Sequence, residues 1–145
     1  MDKLTYALAP YNWAICFQHD CPLAEQCLRH AIALLTPAGI TQHNSVLPTA
    51  RKGDVCSMFA TNEPQRIARG MRSTLPRIYS EKITALRHEL YKVFGNITKF
   101  YRYRDGKYDI TPEQQNRIEA IFRLHGVKEK PTYDSTTLTY YFPRK

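Results

Sequence analysis

Apolar residues recur at helical spacing in several stretches of the chain and gather into a strand-like run near its end. Between Leu23 and Leu35, the residues Leu28, Ala31, Ile32 and Leu35 share one face, and Thr36-Pro37 closes the pattern. A second helix is predicted from Asn62 as N-cap, with Pro64 just inside its start and Gly70 near its end. The next begins near Ser80, where Ile83, Leu86, Leu90, Val93 and Phe94 form an apolar stripe and Gly95 fits the closing position. A short helix follows over Ile97 to Arg104, ended by Asp105-Gly106. Thr111 then caps a further helix, with Pro112 in its first position, Gln114 completing a Thr-x-x-Gln capping box, and Ile118, Ile121 and Phe122 facing inward.

Elsewhere the pattern is weaker. Residues 1–22 and 38–54 read as irregular, with Pro, Gly and Asn as breakers. The run Val55 to Ala60 suits a buried strand or a piece of core helix. Thr136 to Phe142, rich in Thr, Tyr and Phe, reads as a strand. The expected fold is mainly α: a helical bundle with a helix-turn-helix-like C-terminal unit and a short β element near the C-terminus. The expected division is a cysteine-bearing segment over 1–62 and a basic domain over 63–145.

Charge changes this picture. The chain of 145 residues carries a net charge of +8. Eleven Lys and Arg lie between Arg66 and Lys107 against only Glu81, Glu89 and Asp105, so this stretch alone accounts for the +8. Such a balance points to an anionic partner. The layout around it is that of a helix-turn-helix, in which one helix braces and the next offers its start to the major groove. Asn96 and Thr98 stand at that start, Lys99, Arg102 and Arg104 follow, and Arg87 and Lys92 flank them. These seven are the candidate nucleic-acid contacts, suited to phosphates and base edges. Double-stranded DNA is therefore the expected partner, and a DNA-binding accessory or regulatory protein the expected function. An acidic protein partner, met by the same Tyr/Arg face, is the alternative.

The four cysteines are the second source of chemistry. Cys16, Cys21 and Cys27 form C-x4-C-x5-C, and Cys56 follows after a long gap. Four thiolates make a closed tetrahedral zinc site, or hold an iron–sulfur cluster that would make the protein a redox sensor. Zinc in a structural role is the expected cofactor, with His19 and His30 as spare ligands. The spacing lacks the paired C-x2-C of zinc ribbons, and buried cysteines also serve as small apolar residues. No phosphate-binding glycine loop, zinc-protease motif or nucleophile elbow is present, so no enzymatic activity is expected. No apolar stretch is long enough to span a bilayer, and the expected setting is the cytoplasm, without membrane partners.

Two resemblances follow from these residues. The segment Ile97 to Arg104, with the helices around it, resembles phage-repressor-like bacterial regulators, which implies DNA binding. The run Cys21-Pro22-x-Ala24-x-x-Cys27-Leu28-Arg29, together with Arg87-His88, Phe94-Gly95, Tyr101-Arg102, Pro112 and Ile121-Phe122, resembles an uncharacterised family of small Bacteroidota proteins. That resemblance implies a bacterial origin and transfers no active site.

Overall fold

The computed structural model describes residues 3–78 and 80–144, without the side chains of Arg77 and Ser80. The charge of Arg77 thus lies outside the described side chains. The chain separates into two units, Met1–Gln65 with Thr139–Lys145, and Arg66–Leu138.

The first unit is built around one short helix, α1 (Leu28–Leu34), preceded by a single turn over Ala24–Gln26. The pattern predicts one helix from Leu23 to Leu35, but Cys27 interrupts it. Its backbone is extended, with φ −100° and ψ 122°, and it pairs with Thr61 in an antiparallel bridge. Next to it the Leu28 N–H donates to the Ala60 carbonyl at 2.6 Å. A neighbouring segment thus takes one of the donors that a helix start leaves open. Trp13, Ile15, Leu28, Ile32, Ala33 and Ala60 form the core. The Trp13 indole N–H donates to the Pro143 carbonyl at 2.8 Å, and Phe142 meets its ring edge-on at 5.0 Å. A small antiparallel hairpin joins β1 (Arg51–Lys52) to β2 (Val55–Cys56), with Arg51 opposite Cys56. Gly53 in its turn has φ +62°, a value glycine adopts at no steric cost. Only the start of the apolar run Val55 to Ala60 is a strand, and Val55 points to solvent.

In the second unit β3 (Gln65–Arg69) pairs with β4 (Ser135–Thr139). Ala68 and Ile110 exchange backbone hydrogen bonds at 3.2 and 2.7 Å, which adds a bridge to β3. Helix α2 (Ser80–Phe94) packs on both α3 (Ile97–Arg104) and α4 (Pro112–Leu124). Leu86, Leu90, Val93 and Phe94 from α2, Phe100 from α3 and Ile118 and Phe122 from α4 fill one core with Ala68, Met71 and Ile110. The helix ends follow their sequence cues. Gly95 closes α2 with φ +106°, and Asn96 caps α3 by accepting from the Lys99 N–H at 2.8 Å. Thr111 and Gln114 form the reciprocal capping box of α4, at 3.2 and 2.9 Å.

The expectation of a mainly α helical bundle is overturned. Among the described residues helix makes up 38% and strand 14%, in two small antiparallel sheets, so the fold is an α+β mix. The error lies at residues 63–70, where a cap-like Asn62 and Pro64 suggest a helix. The Asn62 side chain instead donates to the Glu25 carbonyl at 2.8 Å, and the following residues form β3. Tertiary pairing with Ile110 and β4 overrides the local helix signal. Gly70, read as a helix end, has φ +79° and turns the chain out of β3. A Cβ at Gly70 would collide with the Asp134 carboxylate.

Candidate metal site and basic surface

Four separate pieces of backbone bring the cysteines together. Cys16 follows Ile15, which bridges Ser45, and the Cys16 N–H donates to the Arg29 carbonyl at 3.1 Å. Cys21 lies just before the Ala24–Gln26 turn, its carbonyl accepting from the Ala24 N–H at 3.0 Å, Cys27 stands at the extended start of α1, and Cys56 on β2. All four line one small cavity of about 20 Å³, joined by Arg29 and Arg51. They are free thiols, each half-buried. Among the described residues no three or more His, Cys, Asp or Glu side chains are set to hold a metal ion as they stand. The thiols therefore surround a common space without meeting at one ligation point.

Two of the thiols already accept backbone donors. The Leu23 N–H donates to Cys21 Sγ at 3.4 Å, and the Gln18 N–H donates to the Cys16 thiol. Both bonds run from residue i+2 back to the sulfur, and the one on Cys16 favours its thiolate. Burial works the other way on Cys16 and pushes its thiol up, with Cys27, Cys21 and Cys56 adding to the rise. A cation at the cavity would reverse that balance.

Two arginines line the same cavity. Arg29 is only 2% exposed. Its Nε donates to the Met58 carbonyl and its Nη1 to the Ala14 carbonyl, both at 2.6 Å, and its guanidinium lies 4.2 Å from the Trp13 ring centre. Burial depresses its pKa, while Cys27, Cys56 and Cys16 act to raise it. Arg51 donates from Nη1 to the Gly53 carbonyl at 2.9 Å, whereas its Nε is buried with no acceptor. Neither arginine is marked by the cysteine spacing, although Arg29 stands two residues after Cys27. His30 also lines the cavity, its Nδ1 3.1 Å from the Cys16 carbonyl, and His19 meets its ring edge-on.

The seven candidate nucleic-acid contacts divide into groups. Thr98, Lys99 and Arg102 lie exposed on α3, and Arg102 donates to the Tyr108 hydroxyl at 2.9 Å. Asn96 has its side-chain oxygen occupied by the α3 cap. Lys92 is exposed and paired with Glu89 at 3.1 Å. Arg87 and Arg104 are half-buried and line a different feature, a groove of about 400 Å³ that also holds Arg72. Arg104 and Arg72 both donate through Nε to Asp105 Oδ1, at 2.9 and 3.1 Å. These bonds, Arg104's foremost, hold the Asp105 carboxyl below the usual carboxylate range against the opposing effect of its burial. Arg72 belongs to the basic stretch, but nothing in its sequence position places it beside Arg87 and Arg104. No helix among the described residues is long and apolar enough to cross a membrane.

The profile of a protein family described as a family of unknown function, DUF6078, matches residues 1–142. No curated protein and no solved structure matches the chain.

Proposed function

The chain belongs to the DUF6078 family, and we propose that its first unit holds one structural zinc ion on Cys16, Cys21, Cys27 and Cys56. The observation that carries this reading is the shared cavity: four thiols and two guanidiniums line one space with room for about one water-sized body. Charge supports it. Four thiolates around Zn²⁺ leave two negative charges, and Arg29 and Arg51 supply two positive ones. A tetrathiolate centre with that compensation avoids the penalty of an unbalanced buried charge. The orphaned Arg51 Nε would gain a thiolate acceptor. Side-chain rotations must bring the sulfurs to the zinc–sulfur distance of about 2.3 Å.

Size separates zinc from a cluster. A cavity of about 20 Å³ suits a single ion better than a multi-atom iron–sulfur cluster, so zinc is preferred. The site would tie the segment around Cys16 to α1 and to the β1–β2 hairpin, a stabilising role rather than a catalytic one. Metal analysis of the freshly purified chain tests it. One zinc per chain, lost in Cys56→Ser, is the expected result. A brown preparation carrying iron and sulfide would replace zinc with the redox-sensor reading, and a metal-free protein with four reactive thiols would overturn both.

A second reading concerns the second unit. The exposed Thr98, Lys99 and Arg102 on the capped α3, set directly after α2 and its Gly95 turn, favour contact with duplex DNA. Such binding must weaken as salt rises, because phosphate neutralisation releases counterions. Arg102→Ala should lower both the affinity and the salt slope. Absence of any salt-dependent DNA binding at low ionic strength would eliminate this reading.

A further inference from the structure

The groove on the second unit poses a separate problem. Arg72, Arg87 and Arg104 converge on it, and Leu75, Pro76 and Ile83 form its apolar wall. Three guanidiniums brought together repel one another unless anions balance them. Asp105 is the only carboxylate hydrogen-bonded to any of the three guanidiniums among the described residues, and it takes Arg72 and Arg104 by their Nε atoms, while Asp134 accepts from the Arg72 backbone N–H. The planar ends of those two side chains stay available as donors. The Arg87 Nε is buried and has no acceptor. A buried donor without a partner costs about 1–3 kcal/mol, more when charged. With Asp105 on two of the arginines, Asp134 acting on Arg72 and the Arg104 guanidinium against the Tyr101 ring at 4.6 Å, the groove keeps an excess of positive charge, guanidinium N–H groups beyond the Nε atoms, and one donor shut away from water.

We infer that this groove binds a small phosphomonoester. A phosphate dianion suits a groove with excess positive charge, and its several oxygens suit converging guanidiniums, which recognise phosphate in a planar, bidentate manner. Arg87 lines the groove and its Nε has no acceptor, and a terminal phosphate can enter a groove more deeply than the backbone of a duplex. Its volume of about 400 Å³ lies within the range of small-molecule sites, about 300–1,000 Å³. The wall of Leu75, Pro76 and Ile83 would carry the body of the ligand. Asp105 acts as a positioning residue: it fixes two of the three arginines by one edge and leaves the other edge for the ligand. The inference is independent of both readings above, since it needs neither the thiols nor the exposed face of α3.

The test is calorimetric titration of the full chain at low salt with inorganic phosphate, AMP and adenosine. Phosphate and AMP should bind and compete with each other, while adenosine should not bind. Arg87→Gln should weaken AMP by about ten-fold or more, the loss of one charge-assisted hydrogen bond. Arg72→Gln should do the same, and its side chain is 67% exposed, so that variant keeps the fold if Arg87→Gln does not. Lys128→Gln, an exposed cation outside the groove, should leave AMP binding unchanged. Failure of both phosphate and AMP to bind overturns the inference, as does an equal loss in Lys128→Gln. Binding of duplex DNA without uptake of AMP or phosphate overturns it too, while leaving the DNA reading intact.

Discussion

Arg51 and Cys56 face each other as cross-strand partners in the β1–β2 hairpin, so one tight turn delivers a guanidinium and a thiol to the same cavity. If Arg51 compensates a thiolate centre, Arg51→Met removes the charge and keeps most of the stem. Zinc affinity should then fall about ten-fold or more, the usual effect of losing a partner just outside the ligands. Competition with a chromophoric chelator measures it. Unchanged affinity would remove Arg51 from the charge balance.

Arg29 is held by the Ala14 and Met58 carbonyls and by the face of Trp13. Arg29→Met leaves the Ala14 and Met58 carbonyls without that donor. The expected loss is about 3 kcal/mol of stability in the first unit, the cost of orphaning charge-assisted hydrogen bonds. Denaturant unfolding of the metal-loaded chain reads this directly. A change below about 1 kcal/mol would mean that water replaces the guanidinium.

Gly70 combines a left-handed backbone with the Asp134 carboxylate close against its Cα. Gly70→Ala should destabilise the second unit by about 2 kcal/mol or more, from backbone strain and collision together. Gly39→Ala is the control, because nothing lies near a Cβ there. Thermal melts of the two variants should differ clearly, and similar melting would refute the tight approach at Gly70.

Asp134 also sets an acid limit. Its carboxylate accepts from the Arg72 N–H at 3.2 Å, the Ser73 N–H at 3.1 Å and the Ser73 hydroxyl at 2.8 Å. Burial pushes its pKa up, but these bonds outweigh it and the net shift is downward. A carboxylate lowered in the folded state stabilises that state above its unfolded pKa, near 3.9, and loses the contribution as pH falls toward the folded value. Stability of the second unit should therefore decline as pH drops below about 4. Asp134→Asn should lower stability at neutral pH and flatten that decline. An identical acid profile in the variant would assign the acid limit to other groups.

The capping box of α4 gives a smaller effect. Thr111→Ala removes the acceptor for the Gln114 N–H and should cost about 1 kcal/mol. A denaturant midpoint shift without a change in slope would identify a pure stability effect.

The helical half of the fold was legible where local signals agree. Gly95, Asn96 and the Thr111–Gln114 pair mark helix ends that the structure reproduces, and the stripe of Leu86, Leu90, Val93 and Phe94 is the buried face of α2. The strand β3 was hidden because Asn62 and Pro64 imitate a helix start, while the partners that make it a strand lie at Ile110 and in β4. Cys27 shows the same limit on a smaller scale. Its helical spacing is sound, yet pairing with Thr61 draws it out of the helix. The four thiols were visible as a set, but the two arginines that join them come from α1 and β1, which no spacing connects. Among the basic residues, sequence proximity grouped Arg102 with Arg104. The structure leaves Arg102 on the open face of α3 and turns Arg104 toward Asp105 and Arg72.

Trp13, the single tryptophan of the chain, sits against Arg29 with its indole N–H on Pro143. Its emission is thus a built-in optical label for the cysteine-bearing unit alone. The helices α2, α3 and α4 dominate far-ultraviolet dichroism and contain no tryptophan. Fluorescence and dichroism therefore report on different halves of one polypeptide. Coincident transitions would mean that the halves unfold as a single cooperative body, and separated ones that each melts on its own. Stripping a bound metal would then move the optical transition first, before the dichroic one.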